Sequence, residues 1–265
     1  MPKRILIIDD QDDLATELGE VFTAAGHTVK TSETRNEAVA LSVNEGFDMV
    51  ITDLGGKNLV SDPGKNGHET LPCLPEPEKK IRSEFKAFKI CLANYDNEDF
   101  SEEEINYLVS TTLNYKAKFI DRGEAMKKRR EKIDFEVPST IAIMHDILDY
   151  LMTRVEKLGV VNPEQSNLFV ALDEAFVNAV KHGNKFDTRK LVKISVEISP
   201  TEASFSIEDE GEGFDVENIP DPTKPENLLK ASGRGVMFIY NIMDEVVYND
   251  RGNRITMIKK NENQV

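Results

Sequence analysis

The sequence predicts two successive domains of different class: a doubly wound α/β domain with a five-stranded parallel sheet, and then an α+β sandwich. In the first half, short apolar runs alternate with segments of helical periodicity, as in a parallel sheet covered by helices on both faces. In the second half, Val192, Ile194, Val196 and Ile198 alternate with polar residues, which is typical of a half-buried antiparallel strand. A chain of 265 residues is long enough for two such domains.

The first predicted domain covers residues 1–122, and its elements alternate regularly. Helical periodicity marks two helices, over 12–25 and 34–45. Residues 55–78 are rich in glycine and proline and are expected to be irregular. The predicted strands are 4–9, 27–32, 48–53, 89–93 and 117–120.

Residues 123–132 are strongly basic within an acidic chain and are interpreted as a linker. The second predicted domain covers residues 133–265. Its helices are expected at 139–158 and 165–181, packed on one face of an antiparallel sheet. The predicted strands are 133–137, 192–198, 203–208 and 254–259.

The overall charge excludes several kinds of partner. The formal net charge is −15 and the sequence pI is about 4.8, which argues against direct binding of nucleic acid or of an anionic membrane. No segment approaches the length of apolar sequence that a membrane span needs. The N-terminal sequence MPKRILIIDD is too short and too acidic for a signal peptide. We therefore expect a soluble cytoplasmic protein.

Acidic residues stand at the ends of two predicted strands of the first domain. Asp9 and Asp10 end the first strand, and Asp53 ends the third. Strand ends of an open parallel sheet converge on one crevice, and clustered carboxylates there suit Mg²⁺. Asp53 would then act as a nucleophile toward a phosphoryl group, with Lys118 at the end of the fifth strand balancing the charge.

With these four residues, the first domain resembles a response-regulator receiver domain, which has a flavodoxin-like fold. The resemblance implies that Mg²⁺ binds at the three carboxylates and that a partner histidine kinase phosphorylates Asp53. Two positions depart from the family pattern. Ala93 replaces the hydroxyl residue that senses the phosphoryl group, and Phe119 follows the lysine where the family has proline.

The most informative motif of the second domain is DEGEGF, residues 209–214, which follows a predicted strand. Gly233, Arg234 and Gly235 come about twenty residues later and open a predicted helix. The Asp209 carboxylate suits the exocyclic amine of a purine, and glycines let the backbone approach a ligand closely. A helix that starts at Gly235 would direct free backbone amides at phosphates.

A third element lies upstream on the 165–181 helix. Glu174 and Asn178 are four residues apart and therefore share one helix face, which Lys181 and His182 extend. An asparagine oxygen suits Mg²⁺. A glutamate one turn earlier would act as a general base or position a hydroxyl near the γ-phosphate.

These motifs, in this order and spacing, resemble the Bergerat-fold ATPases, which include the histidine kinases. Within that group, residues 133–260 look most like the anti-sigma-factor serine kinases. The matching segments are LDEAFVNAVKHGN, DEGEGFD and GRGVMFIYNIMDEVVYNDRGNRITMIKK.

The resemblance implies a role for each matching residue. Glu174 would be the catalytic base, Asn178 a ligand of the Mg²⁺ that accompanies ATP, and Asp209 the adenine reader. Residues 217–232 would be a lid over the nucleotide. The other residues implied in ATP binding are Lys181, His182, Gly211, Gly213, Gly233, Arg234, Gly235 and Thr256.

The leading hypothesis is a response regulator whose output is an ATP-dependent protein serine/threonine kinase. The family implies a STAS-type anti-anti-sigma protein as substrate, control of a sigma factor by partner switching, and a homodimer. One alternative is a module that sequesters a sigma factor or another partner without catalysis. Another is histidine-to-aspartate phosphotransfer between His145 and Asp53.

Overall fold

The chain divides into two compact units. The computed structural model describes residues 2–11, 13–55, 85–92, 100–121, 130–161, 167–214 and 234–261. The first unit comprises Met1–Ala125 and Arg129–Val137, and the second comprises Met126–Lys128 and Pro138–Val265. The division differs from the predicted one because the strand predicted at 133–137 belongs to the first unit.

The first unit holds a mixed sheet. Within the described residues its strands lie side by side in the order β2 (Thr28–Ser32), β1 (Arg4–Asp9), β3 (Met49–Gly55), β4 (Phe85–Leu92) and β5 (Arg130–Pro138). Strand β1 pairs in parallel with β2 and β3, and β4 pairs in parallel with β5. Strands β3 and β4 are antiparallel. The centre of the sheet is apolar, since Ile5, Leu6, Ile7 and Ile8 are fully buried.

The prediction that all five strands are parallel is therefore wrong at β3–β4. Parallel neighbours need a crossover, usually a helix, and the glycine- and proline-rich sequence 55–78 offers no helical periodicity for one. The predicted fifth strand, 117–120, is also wrong. Helix α3 (Glu102–Tyr115) continues into a π-helical segment, Lys116–Ile120, because neither glycine nor proline stops it. Strand β5 is instead the parallel neighbour of β4.

Side-chain caps fix where the helices of the first unit begin. Helix α1 (Asp13–Ala24) begins under the Asp9 carboxylate, which accepts hydrogen bonds from two of its first-turn amides. Thr34 caps α2 (Arg35–Asn44) through a bond from the Glu37 amide. Ser101 and Glu104 form a capping box at the start of α3.

The second unit has the antiparallel sheet that the sequence predicts. Its strands lie in the order β6 (Leu191–Ile198), β7 (Glu202–Asp209), β9 (Arg254–Lys260) and β8 (Glu245–Tyr248). Every neighbouring pair among them is antiparallel. Alternate residues of β6 and β7 are buried, so one face of the sheet contributes to the core.

Three helices complete the described part of the second unit: α4 (Met144–Lys157), α5 (Leu168–Asn178) and α6 (Arg234–Ile242). Helix α5 contacts both α4 and α6 and runs on into a π-helical segment, Ala179–Gly183. This arrangement of helices and antiparallel strands is consistent with an ATPase fold. In either unit, none of the helices in the described ranges is both long enough and apolar enough to cross a bilayer.

Candidate functional site

A cavity of about 710 Å³ opens in the second unit, at the ends of β7 and β9 and beside α5 and the start of α6. Its size is within the range of small-molecule sites. The residues predicted to bind or act on a nucleotide meet here from three separate parts of the sequence. Those that line the cavity are Glu174, Asn178, Lys181, His182, Asp209, Gly213 and Gly235.

The side of the cavity formed by α5 changes helix type where the predicted motif lies. Glu174 and Asn178 are one α-helical turn apart and are both half-buried. After Asn178 the helix widens, since the Asn184 amide donates to the Ala179 carbonyl five residues earlier at 2.8 Å. Such π-helical turns occur frequently at functional sites. The wider turn brings Gly183 to the end of β7.

Glu174 lies against the first turn of α6. A β-carbon at Gly235 would lie 2.1 Å from Oε2 of Glu174, which is far inside van der Waals contact. Only glycine at this position allows the carboxylate and the start of the helix to approach so closely. The Glu174 carboxylate and the start of α6, two features that the sequence analysis predicted separately, are therefore in direct contact.

Asp209 ends β7 and lies against the π-helical segment. Its Oδ1 accepts a hydrogen bond from the Gly211 amide at 2.8 Å, and a β-carbon at Gly183 would lie 2.2 Å from its Cγ. Burial raises the pKa of the Asp209 carboxyl above its ordinary value, and the Gly211 hydrogen bond opposes that shift. Its Oδ2 accepts no hydrogen bond from the described residues, so it is available to a donor on a ligand.

Comparison with known proteins agrees with this geometry. The family model of the histidine kinase-like ATPase domain matches residues 137–259. The serine-protein kinase RsbW of Staphylococcus epidermidis is 29% identical over 142 residues, which are 51% of this chain and 89% of that protein. RsbW of Staphylococcus aureus (strain JH9) is 30% identical, with the same coverage of both chains. The chain belongs to the RsbW family of histidine kinase-like ATPases.

The family match confirms the predicted ATPase domain of the second half. Residues 137–259 contain every position that the sequence analysis assigned to the nucleotide site. The receiver assignment of residues 1–122 lies outside this match and stays a prediction.

Several residues in or next to the cavity of the RsbW-like second unit had no role in the sequence analysis. Gly183 and Asn184 are within the HGN end of a motif that was recognised, but only its earlier residues were given functions. Arg251 donates from its guanidinium to the Gly211 carbonyl at 2.7 Å, and Asn253 holds the main chain of Asp209. The signal that would have found this pair is the turn sequence RGN directly before the last strand.

Thr256 was predicted to contact nucleotide, but it does not line the cavity. The neighbouring residues Arg254 and Ile255 do. Side chains alternate between the two faces of a strand, so Thr256 lies on the face opposite Ile255. There its hydroxyl is 2.7 Å from the Ser206 hydroxyl on β7. Thr256 therefore lies outside the lining of the cavity, and its contact with the nucleotide stays a prediction.

Three other predicted features fall wholly or partly outside the described residues. Gly233 and the predicted lid, residues 217–232, lie in an undescribed range. Arg234 begins α6, but its side chain is not described. Gly211 is described and packs behind Asp209, where a β-carbon would lie 2.4 Å from the Gly183 carbonyl oxygen.

The acidic cluster of the first unit contains a different lysine from the predicted one. Lys116 donates to Asp53 Oδ2 at 2.8 Å and to Asp121 Oδ1 at 3.1 Å, and all three side chains are buried. Lys118 is exposed. The buried face of α3 includes Val109, Thr112 and Leu113, and helical spacing places residue 116 on that same face. The prediction of Lys118 is therefore wrong, and Lys116 occupies the position next to Asp53.

The three carboxylates predicted to bind Mg²⁺ in the first unit already have several partners within the protein, and the Mg²⁺ site stays a prediction. Asp9 accepts hydrogen bonds from the amides of Gln11, Leu14 and Ala15, and Asp10 Oδ2 accepts one from Gly55 at 2.9 Å. Oδ2 of Asp53 also lies 3.2 Å from a second ammonium group, that of Lys86. The described ranges contain no cluster of three or more side chains suited to holding a metal ion.

His145, the histidine of the phosphotransfer alternative, lies on α4. Its side chain is 73% exposed, and its Nε2 is 3.2 Å from Oδ2 of Asp149, one turn later. The His145 ring also meets the Phe169 ring edge-on, with centroids 6.0 Å apart. The phosphotransfer alternative stays a prediction.

Proposed function

We propose that this protein is an ATP-dependent protein serine/threonine kinase that phosphorylates a STAS-type anti-anti-sigma protein and thereby controls a sigma factor by partner switching. The observation that carries the proposal is the meeting of Glu174, Asn178 and Asp209 in the lining of one cavity. The names of the RsbW relatives, which are serine-protein kinases, support the same activity.

In this proposal, the Asp209 end of the cavity binds the base of ATP. Oδ2 of Asp209 accepts a hydrogen bond from the exocyclic amine of adenine, while Oδ1 keeps the hydrogen bond from the Gly211 amide. Asn178 would hold the Mg²⁺ through its side-chain oxygen, and when bound that ion neutralises charge on the phosphates. Lys181 and His182 line the same cavity and add positive charge on the polyphosphate side when protonated.

In this proposal Glu174 takes the proton that the reaction releases. The hydroxyl oxygen of the substrate serine or threonine attacks the γ-phosphorus, the bond from that phosphorus to the bridging oxygen breaks, and ADP leaves. The hydroxyl proton passes to the Glu174 carboxylate, which acts as general base. The close contact with Gly235 limits where this carboxylate can move.

The test is phosphate transfer from γ-labelled ATP to small STAS-type proteins of the source organism. Wild-type protein should give an acid-stable label on the second protein. Glu174→Gln and Asn178→Ala should each lose transfer. Asp173→Asn is the matched control, because Asp173 neighbours Glu174 on α5 but does not line the cavity. Full transfer by Asn178→Ala would remove the site assignment, and an acid-labile label on this chain itself would favour phosphotransfer.

A second candidate function is partner sequestration without catalysis. Phe186, Phe214 and Phe238 are each more than 40% exposed, and they belong to segments that contribute cavity residues. Exposed apolar groups at a cavity rim are typical of protein interaction sites. This function predicts that the Glu174→Gln variant still captures a sigma factor and that the Phe186→Ser variant does not. Equal capture by both variants would contradict the role of the rim.

The proposal extends to residues 1–122 as a receiver domain that an upstream histidine kinase phosphorylates at Asp53. Asp9 and Asp53 are paired across β1 and β3, and Lys116 contacts Asp53. Oδ1 of Asp53 is buried and has no hydrogen-bond partner in the described part of the chain. Incubation of the full chain with acetyl phosphate, with and without Mg²⁺, should produce a base-labile label that is absent from Asp53→Asn. A label that persists in Asp53→Asn would move the acceptor elsewhere.

A further inference from the structure

The end of β7, which carries Asp209, is held from two sides by buried asparagines. On the helix side, Asn184 is completely buried and follows the π-helical segment. Its Oδ1 accepts from the Glu210 amide at 2.8 Å, and its Nδ2 donates to the Leu191 carbonyl at 2.9 Å. One side chain thus ties the residue after Asp209 to the start of the neighbouring strand, β6.

On the opposite side, Asn253 holds Asp209 itself. Nδ2 of Asn253 donates to the Asp209 carbonyl at 2.6 Å, and the Asp209 amide donates to the Asn253 carbonyl at 3.0 Å. Asn253 is in turn fixed by Asn249, whose Nδ2 donates to its Oδ1 at 2.9 Å. Both main-chain groups of Asp209 are therefore bound to one residue.

These contacts leave the Asp209 carboxylate little freedom to turn. Its main chain is fixed on both sides, Gly183 packs against its Cγ, and the Gly211 amide binds Oδ1. The remaining oxygen, Oδ2, accepts no hydrogen bond from the residues that the structure describes. One acceptor is thus held in a constant direction at the cavity.

We propose that Asn184 and Asn253 are positioning residues that set the selectivity of the site for a purine with an exocyclic amine. The inference rests on the proposed function, in which Asp209 reads the base of ATP. Neither asparagine is required to touch the nucleotide. Asparagine suits both positions because its side chain carries a donor and an acceptor on one planar group.

The experiment compares two nucleotides by isothermal titration calorimetry with the full chain: ATP and purine riboside triphosphate, which lacks the 6-amino group. If Asp209 accepts a hydrogen bond from that amine, the wild-type protein should bind ATP about tenfold more tightly than purine riboside triphosphate. In Asn253→Ala and in Asn184→Asp this ratio should fall to about threefold or less, because the acceptor is no longer held in one direction. A general loss of structure would weaken binding of both nucleotides together and leave the ratio unchanged.

Asn261→Ala is the matched control. Asn261 is also a buried asparagine of the second unit, and its Nδ2 donates to the carbonyls of Gly159 and Pro200 at 3.0 and 2.9 Å. It does not line the cavity, so the nucleotide ratio should stay at the wild-type value. A wild-type ratio in both Asn253→Ala and Asn184→Asp overturns the inference. Absence of ATP binding by the wild-type protein would instead overturn the proposed function itself.

Asn253→Ala guards against failure of the other variant to fold. The backbone hydrogen bond between Asp209 and Asn253 does not depend on the Asn253 side chain, so this variant keeps half of the contact. If the ratio of the two nucleotide affinities falls to about threefold or less in this variant alone, and its circular dichroism spectrum is that of the wild type, the inference is supported.

Discussion

The α-carbon of Gly235 faces the Glu174 carboxylate so closely that a β-carbon at residue 235 would lie 2.1 Å from Oε2. A Gly235→Ala variant must therefore displace Glu174 or the first turn of α6. We expect phosphate transfer to fall by about 10²-fold or more, which is typical for loss of a positioned general base. Affinity for ATP should change less, because the Asp209 end of the cavity is untouched. Single-turnover rates and calorimetry separate the two effects.

Gly19→Ala is the control for this substitution. Gly19 is in the middle of α1, and a β-carbon there would come no closer than 4.0 Å to Val29. The variant should keep full transfer activity and gain about 1 kcal/mol of stability, because alanine is the better helix former. Wild-type transfer by Gly235→Ala would show that the observed position of Glu174 is not needed for the reaction.

The register of β9 gives a second prediction. Thr256→Val should leave the affinity for ATP within about twofold of wild type, since it removes only the contact with Ser206, worth about 1 kcal/mol of stability. Ile255→Ala removes apolar surface from the cavity wall and should weaken ATP binding by about tenfold. Titration of both variants with ATP shows which face of β9 contacts the nucleotide, the one with Thr256 or the one with Ile255. A large loss of ATP affinity in Thr256→Val would show that Thr256 does contribute to the nucleotide site.

The site of the second unit was largely predictable because its signals are local in sequence. The spacing of Glu174 and Asn178 places them on one helix face wherever that helix packs, and the period of two at 192–198 identifies a strand without knowledge of its neighbours. Strand register is different, because a shift of one residue exchanges the two faces. The sequence of β9 is apolar at Ile255, Met257 and Ile258, so its alternation alone did not show which face Thr256 would take.

The first unit was less predictable, because the features that were predicted wrongly depend on contacts between elements that are distant in sequence. The direction of β4 depends on its pairing with β3 and β5, which no local pattern encodes. The short apolar run at 117–120 suits a strand or a helix, and the helical spacing of residues 109, 112, 113 and 116 was the signal that favoured a helix. Following that spacing would have selected Lys116 in place of Lys118.

The buried lysine gives a third prediction. Lys116 is 2% exposed and contacts two buried carboxylates, those of Asp53 and Asp121. Lys116→Met leaves those carboxylates without this cation and should destabilise the protein by about 3–5 kcal/mol. Lys118→Met is the matched control, and because Lys118 is exposed its effect should be within about 0.5 kcal/mol. Urea denaturation of both variants measures the difference, and equal stabilities would contradict the assignment.

Asp9 gives a prediction about pH. Burial raises the pKa of its carboxyl from 3.8 to about 6, although the amides of Gln11 and Ala15 oppose the shift. The folded protein therefore binds a proton at Asp9 more tightly than the unfolded chain does. The stability that this proton contributes is fully present below the unfolded value of 3.8 and is lost as the pH rises through about 6.

Asp9→Asn removes this titration while keeping the shape of the side chain and one acceptor oxygen for the start of α1. The stability of the wild-type protein relative to Asp9→Asn should fall by about 2 kcal/mol between about pH 4.5 and about pH 7.5. Any constant loss from the exchanged side-chain atoms cancels in that comparison, because it does not depend on pH. Urea denaturation at four pH values across the range measures it. A relative stability that is flat, or that rises with pH, would mean that hydrogen bonds to the ionised Asp9 outweigh its burial.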